Sequence, residues 1–256
     1  MLDMLRQQLI RLQKPAGIAD APAVLPLGVP AVDDVLGGGL LSGALHEIAA
    51  TSEAHLPAAT GFTLGLAALA TGNKNFVWIA EDMALTENGA PYGAGLDVFG
   101  LSPERLVIVA VAHRHELMAA MEEALRCRAV GVVIGEVRNG TLDAVAVRRL
   151  SLAASDSGTL AFFLRTQPTH DASTAVTRWV VGASPSVIPG HARQSASPNG
   201  SEFGAPRFAV HLTRNRRGPS ASWILEWRNP DDRFVLAAPH EPVAAPLRHR
   251  PHQKVA

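Results

Sequence analysis

The stretch GALHEIAATSEAHLPAATGFTLGLAALATGNKNFVWIA, residues 43–80, reads as strand, loop, helix and strand in succession. ALHEIAA is a short apolar run, PAATGFTLGLAALATG is a small-residue helix closed by Gly72, and NFVWIA is a β-rich strand with no polar alternation. A strand that is apolar on both sides needs cover on both, and a helix between two such strands supplies it. The unit therefore predicts a parallel sheet.

Working outward, the pattern repeats. RLVIVA (105–110), VGVVI (130–134) and LAFFL (160–164) are further apolar strands. Between them, ELMAAMEEALRCRA (116–129) sets Leu117, Met121, Ala124 and Leu125 on one helical face. TLDAVAVRRLSLAASDSG (141–158) is a second helix, with Thr141 as its expected N-cap and Gly158 as its stop. Further on, RFAVHLT (207–213) and SWILEW (222–227) alternate in period two around RNRRGPSA, which predicts an antiparallel hairpin at the sheet edge. The fold class is thus α/β, a parallel sheet flanked by helices with that hairpin appended.

The remaining segments frame this domain, which spans 27–235. Leu2, Leu5, Leu9 and Leu12 form the seam of an amphipathic helix over 1–13, and a Pro-rich linker over 14–26 follows. A loop of Pro, Ser and Gly occupies about 185–205, and 236–256 reads as a disordered tail.

At 256 residues the chain is long enough to bury a core without covalent staples. Its one cysteine, Cys127, excludes an intramolecular disulfide framework and a cysteine-based zinc cluster, and its neighbours Ala124 and Leu125 predict a packed thiol. No run approaches the ~18 apolar residues of a membrane span, and no secretory signal opens the chain, so a cytoplasmic protein without a membrane partner is expected. Twenty-three basic residues balance twenty-three acidic ones, which argues against coating nucleic acid as the main activity. Only Lys14, Lys74 and Lys254 are lysines.

Taken in order, several blocks resemble the RecA-like ATPases. LPLGVPAVDDVLGGGLLSGALHEI (25–48) is similar to that family's opening turn and first strand. FVWIAED places Glu81 at the position of the family's catalytic glutamate, and VGVVIGEV places Glu136 where a Walker B aspartate would stand. LAFFLRTQ puts Gln167 where a glutamine senses nucleotide. Against this background the loop after Glu47-Ile48 departs from its pattern. A working phosphate loop needs glycines to turn N–H groups onto phosphate, a lysine to neutralise charge and a Ser/Thr hydroxyl for magnesium. Ala50, His55, Leu56 and Pro57 occupy those positions. Loss of the lysine alone removes about 4 kcal/mol of attraction at ~4 Å and an effective dielectric near ~20. Glu53 adds repulsion, and Lys74 lies at the far end of the sheet. No catalytic residue, cofactor or metal is expected, and no ATPase activity.

Without its phosphate loop, and with FGAPRFAVHLTRNRRGPSASWILEW (203–227) and TAVTRWVVGASPS (174–186), the chain resembles the ImuA family. That resemblance implies a non-catalytic accessory of mutagenic translesion synthesis in the DNA-damage (SOS) response. Its implied partners are an ImuB-like, Y-family-related protein and an error-prone polymerase alpha subunit, with RecA or a second copy of the chain as further candidates. The alternative is a SulA-like inhibitor of cell division, which would bind a tubulin-like division protein. Leu2, Leu5 and Leu9 are a candidate partner helix. Arg207, Arg214, Arg216 and Arg217, beside Trp223 and Trp227, are candidate contacts to single-stranded DNA or to an acidic partner surface, although the tryptophans equally suit a core. His113 and His115 flank Arg114 at a spacing too thin for a metal site.

Overall fold

The structure, a computed structural model, describes residues 23–138, 140–169, 171, 173–186, 204–229 and 231–237. The leucine seam at Leu2, Leu5 and Leu9, most of the 14–26 linker, most of the 185–205 loop and nearly all of the tail lie outside these residues.

The described chain opens with two short strands, β1 (Val24–Leu25) and β2 (Leu40–Leu41), paired antiparallel around helix α1 (Pro30–Leu36). β1 belongs to the last part of the segment expected to be linker. Pro30 sits in the first turn of α1, and Asp33 accepts from the N–H groups of Leu27 and Gly28 at 2.7 and 3.0 Å, which fixes the approach to the helix. Gly37, Gly38 and Gly39 all have positive φ, and a Cβ on Gly39 would lie 2.3 Å from the Leu25 carbonyl oxygen. The Gly-Gly-Gly turn exists because only glycine fits there.

β3 (Leu45–Ala50) is buried along its whole length, and α2 (Leu56–Thr71) returns the chain to β4 (Asn75–Glu81). Two short helices, α3 (Asp82–Asn88) and α4 (Gly93–Asp97), precede β5 (Leu106–Val111). Next come α5 (Arg114–Arg126), β6 (Val130–Val137), α6 (Ala144–Ser157) and β7 (Leu160–Arg165). The last strands are β8 (Thr177–Ala183), β9 (Arg207–Asn215), β10 (Ala221–Arg228) and β11 (Arg233–Leu236).

Nine of these strands form one sheet in the order β11-β10-β9-β8-β3-β7-β6-β4-β5. β3 to β8 run parallel, and β9 to β11 continue antiparallel. One face packs Ile48, Trp78, Phe162 and Trp179 against Phe62 of α2. The other packs Ile79, Val133 and Phe163 against Leu117, Met121 and Leu150 of α5 and α6. Each such side chain contributes about 1.5–3 kcal/mol on burial, so the two faces together hold the sheet flat between its helices.

α2 extends its contact past β8 onto the antiparallel strands because it carries glycine where they approach. A Cβ on Gly65 would come within 2.5 Å of the Phe234 ring and 3.1 Å of Trp227. The bare backbone lets Phe62, Phe208, Trp227 and Phe234 form one aromatic cluster against the helix.

Four expectations need correction. α6 is capped by Asp143, not Thr141: the Asp143 carboxylate accepts from the N–H groups of Val145 and Ala146 at 3.2 and 3.3 Å. A carboxylate at that position also meets the positive end of the helix, which a hydroxyl two residues earlier does not. Cys127 is exposed; it is the C-cap of α5, where the chain leaves the packed face before β6. TRWVVGA, noted only as a family block, is the strand β8, parallel to β3. The β9–β10 hairpin forms, but β8 and β11 flank it, so β11 is the margin of the sheet.

Candidate functional site

The loop joining β3 to α2 is where the sequence placed a lost phosphate cradle. After Ala50 the chain makes a single 3-10 turn, Glu53–His55, and α2 begins at Leu56 with Pro57 in its first turn. Two bonds tie this loop to the end of β8. The Thr51 N–H donates to the Val181 carbonyl at 2.9 Å, and the Ala183 N–H donates to His55 Nδ1 at 3.0 Å. That second bond requires His55 Nδ1 to be the unprotonated nitrogen. Leu56, at the position of the phosphate-binding lysine, is 7% exposed and belongs to the core beneath α2. Pro57 brings no N–H to the helix start. The loop is thus an exposed connection, tied to β8 by two hydrogen bonds and anchored in the core by Leu56.

The other landmarks gather along the same carboxyl edge of the parallel strands, each held by a neighbour. Glu81 pairs with Arg114 Nε at 3.2 Å. Glu136, 3% exposed, accepts from Trp78 Nε1 at 3.1 Å and Asn88 Nδ2 at 2.8 Å. Burial raises its pKa above the ordinary carboxylate value, and those two donors partly offset the rise. Gln167 donates to Glu53 Oε1 at 3.3 Å, across the loop mouth where a phosphate would otherwise sit. Lys74 stands just before β4, at the opposite end of the parallel strands. Titration of labelled ATP with magnesium is expected to show no saturable binding into the millimolar range. Turnover that disappears in Glu81→Gln is the result that would contradict this.

The hairpin arginines hold the chain to itself. Arg207 pairs with Glu226 at 2.8 Å and its side chain is 8% exposed. Arg214 and Arg216 both donate to the Ser173 carbonyl, at 3.1 and 3.0 Å. Arg217 donates to the carbonyls of Gly37 and Gly39 at 2.9 and 3.4 Å, and Asn215 reaches the Val35 carbonyl at 2.9 Å. The tip therefore clamps the glycine turn of the opening segment. Trp227 is fully buried, and Trp223 is half-buried with its ring 6.2 Å from Trp179. Arg217→Ala should cost about 1–2 kcal/mol, since two charge-assisted bonds to carbonyls are lost; equilibrium urea unfolding measures it, and an unchanged midpoint would deny the clamp.

His113 and His115 stack at 5.6 Å, while the Glu116 carboxylate accepts from the N–H groups of Ala112 and His113 at 3.0 and 3.1 Å, capping α5. No group of three His, Cys, Asp or Glu side chains able to hold a metal occurs among the described residues. No helix among them is long and apolar enough to cross a membrane.

Sequence reasoning missed a charged cavity of about 440 Å³ on the α6 side of the sheet, walled by Glu47, Arg165, Arg178 and Arg214. The available signal was a charge at single positions within strands that are otherwise apolar.

No family model matches the chain. ImuA proteins from two strains of Caulobacter vibrioides are each 28% identical over 226 residues, covering 82% of this chain and 86% of the relative. The crystal structure of the RadB recombinase superposes with a TM-score of 0.54 at 13% identity, covering 84% of this chain and 100% of that one. The fold is RecA-like, with a mixed parallel and antiparallel sheet flanked by helices, and the chain is distantly related to ImuA.

Proposed function

We propose that the chain is a non-catalytic RecA-like accessory protein of DNA-damage-induced, error-prone translesion synthesis. In this reading it acts through contacts with an ImuB-like, Y-family-related protein and an error-prone polymerase alpha subunit. The observation that carries the non-catalytic part is Leu56: the side chain standing where a phosphate-binding cation would be is built into the core. The pathway itself rests on the likeness to ImuA.

A protein that works by contact needs a surface, and β5 supplies one. Among the described residues it is an edge strand of the nine-stranded sheet, bonded to β4 on one side only, with Val107 and Ile108 47% and 41% exposed. An unpaired apolar edge is a template for a strand from another chain. Direct grip of single-stranded DNA by the hairpin tip fits less well, because Arg217 is committed to the carbonyls of Gly37 and Gly39.

The test is capture of the purified ImuB-like protein and polymerase subunit by the intact chain and by a Val107→Lys/Ile108→Lys variant. Exposed positions tolerate such changes, within roughly 1 kcal/mol for the pair, so the variant should stay folded while capture falls at least about tenfold, or ~1.4 kcal/mol. Undiminished capture would remove β5 from the account. Recovery of a tubulin-like division protein instead of the polymerase partners would turn the reading toward division inhibition.

A further inference from the structure

On the sheet face that carries α5 and α6, helical cover reaches Leu45 of β3 and goes no further along that strand. β7 and β8 lie on either side of β3, all three parallel, yet the described residues between Thr166 and Val176 include no helix. Parallel strands are ordinarily joined by a crossover of a dozen or more residues, usually a helix that covers the sheet between them. Its absence leaves Glu47 and Ala49 of β3 and Arg178 and Val180 of β8 lining a cavity.

Two of these four side chains are charged. Glu47 and Arg178 pair at 2.6 Å through Glu47 Oε2 and Arg178 Nε, with side chains 4% and 14% exposed. Arg178 also reaches the carbonyls of Thr169 and Asp171, fastening the loop above. Arg165 is 5% exposed and sends Nη1 to the Gly140 carbonyl at 3.4 Å. Arg214 enters from β9 and donates to the Ser173 carbonyl at 3.1 Å. Two buried polar atoms here have no hydrogen-bond partner, Glu47 Oε1 and Arg165 Nε. An orphaned acceptor and an orphaned donor on the walls of one cavity mark a place built for more than packing.

The cavity volume, about 440 Å³, lies in the range of small-ligand pockets. Three guanidinium groups face one carboxylate, so the walls carry an excess of positive charge. Burial holds both Arg165 and Arg214 below the ordinary arginine value; Glu47 and Asp171 offset part of the fall at Arg165, and Arg216 and Arg178 add to it at Arg214. The guanidinium fork matches the planar carboxylate geometry. Ala49, Pro168 and Val180 complete the lining with apolar surface, which suits a ligand with a carbon body over a bare inorganic anion.

We propose that this cavity binds a small organic carboxylate, free or as the acidic side chain of a peptide, its anionic end toward Arg165, Arg178 and Arg214 and its carbon body against Ala49, Pro168 and Val180. The site lies on the face of β3 opposite α2, so it is separate from the vestigial phosphate loop and independent of the translesion reading.

Calorimetric titration of the full chain tests it with four probes: glutarate, a glutamate-containing tripeptide capped at both ends, the uncharged glutaramide, and inorganic phosphate. Saturable binding of glutarate or the tripeptide, with none for glutaramide, is the expected result; whichever of the two binds identifies the source. Arg214→Gln should weaken binding at least about tenfold, and Val180→Phe, which fills the cavity without touching a charge, should abolish it while circular dichroism stays native. Four results would overturn the proposal: no binding of either carboxylate, glutaramide binding equally well, phosphate binding more tightly than both, or affinity unchanged in Arg214→Gln. The last variant alters a partly exposed side chain, so it decides the matter even if Val180→Phe does not fold.

Discussion

Acidification from about pH 7 to about pH 4 is expected to destabilise the fold by about 3 kcal/mol through His46 alone. His46 is fully buried on β3, and burial lowers its pKa from 6.5 to about 4. A continuous chain of bonds fixes its orientation, and the Leu41 carbonyl within it offsets part of the fall. Trp179 Nε1 donates to Thr177 Oγ1 at 2.8 Å, the Thr177 hydroxyl pairs with His46 Nδ1 at 2.7 Å, and His46 Nε2 lies 3.0 Å from the Leu41 carbonyl. The carbonyl can only accept, so Nε2 carries the proton and Thr177 donates to Nδ1. The unfolded chain takes up a proton near 6.5 and the folded chain only near 4, so the unfolded form binds more protons between those values. Stability is therefore complete above 6.5 and falls as the pH drops toward 4. Glu136 acts in the opposite sense: its raised pKa makes the folded form the better proton binder above 4.5, so it offsets part of the loss. Urea unfolding of the native chain and of His46→Gln at several pH values separates the two. The difference between them should change by about 2–3 kcal/mol across the window; a constant difference would mean that His46 does not titrate on unfolding.

Trp227→Ala is the second large effect, a loss of about 3–5 kcal/mol, or on the order of 10 °C in Tm. Trp227 is fully buried, edge-on to Phe234 at 4.9 Å and tilted against Phe99 at 5.5 Å, and its Nε1 donates to the Val98 carbonyl at 3.0 Å. Removing it opens a cavity between α2 and the antiparallel strands and leaves that carbonyl with less to bond. Trp227→Phe keeps most of the volume and loses only the bond, so it should cost about 1–2 kcal/mol. A drop below about 1 kcal/mol for the alanine variant would show that the cluster collapses around the gap.

The parallel core was legible in the sequence because most of its strands are apolar on both faces and two of its helices, α2 and α6, end in glycine. Gly72 and Gly158 cap α2 and α6 where the residue pattern placed them. β8 was harder to see. TRWVVGA carries Thr177 and Arg178 at its start, and their charge and hydroxyl make sense only once Glu47 and His46 stand beside them in register. β11 is four residues long, too short for any period to show. At the lost phosphate loop, residue identity was enough to expect a missing cradle, but nothing in the string revealed that His55 would accept from Ala183 and so fasten the loop shut. Cys127 misled for a related reason. Its apolar neighbours lie on a helical face, and the helix ends at Arg126, one residue before the thiol could share it.

The glycines at 61 and 65 let aromatic rings from the last strands press directly on the backbone of α2. It is interlocked with Phe208, Trp227 and Phe234, so any displacement along its axis would drive ring atoms into main chain. The helix thus serves as a girder that locks the parallel and antiparallel parts of the sheet together.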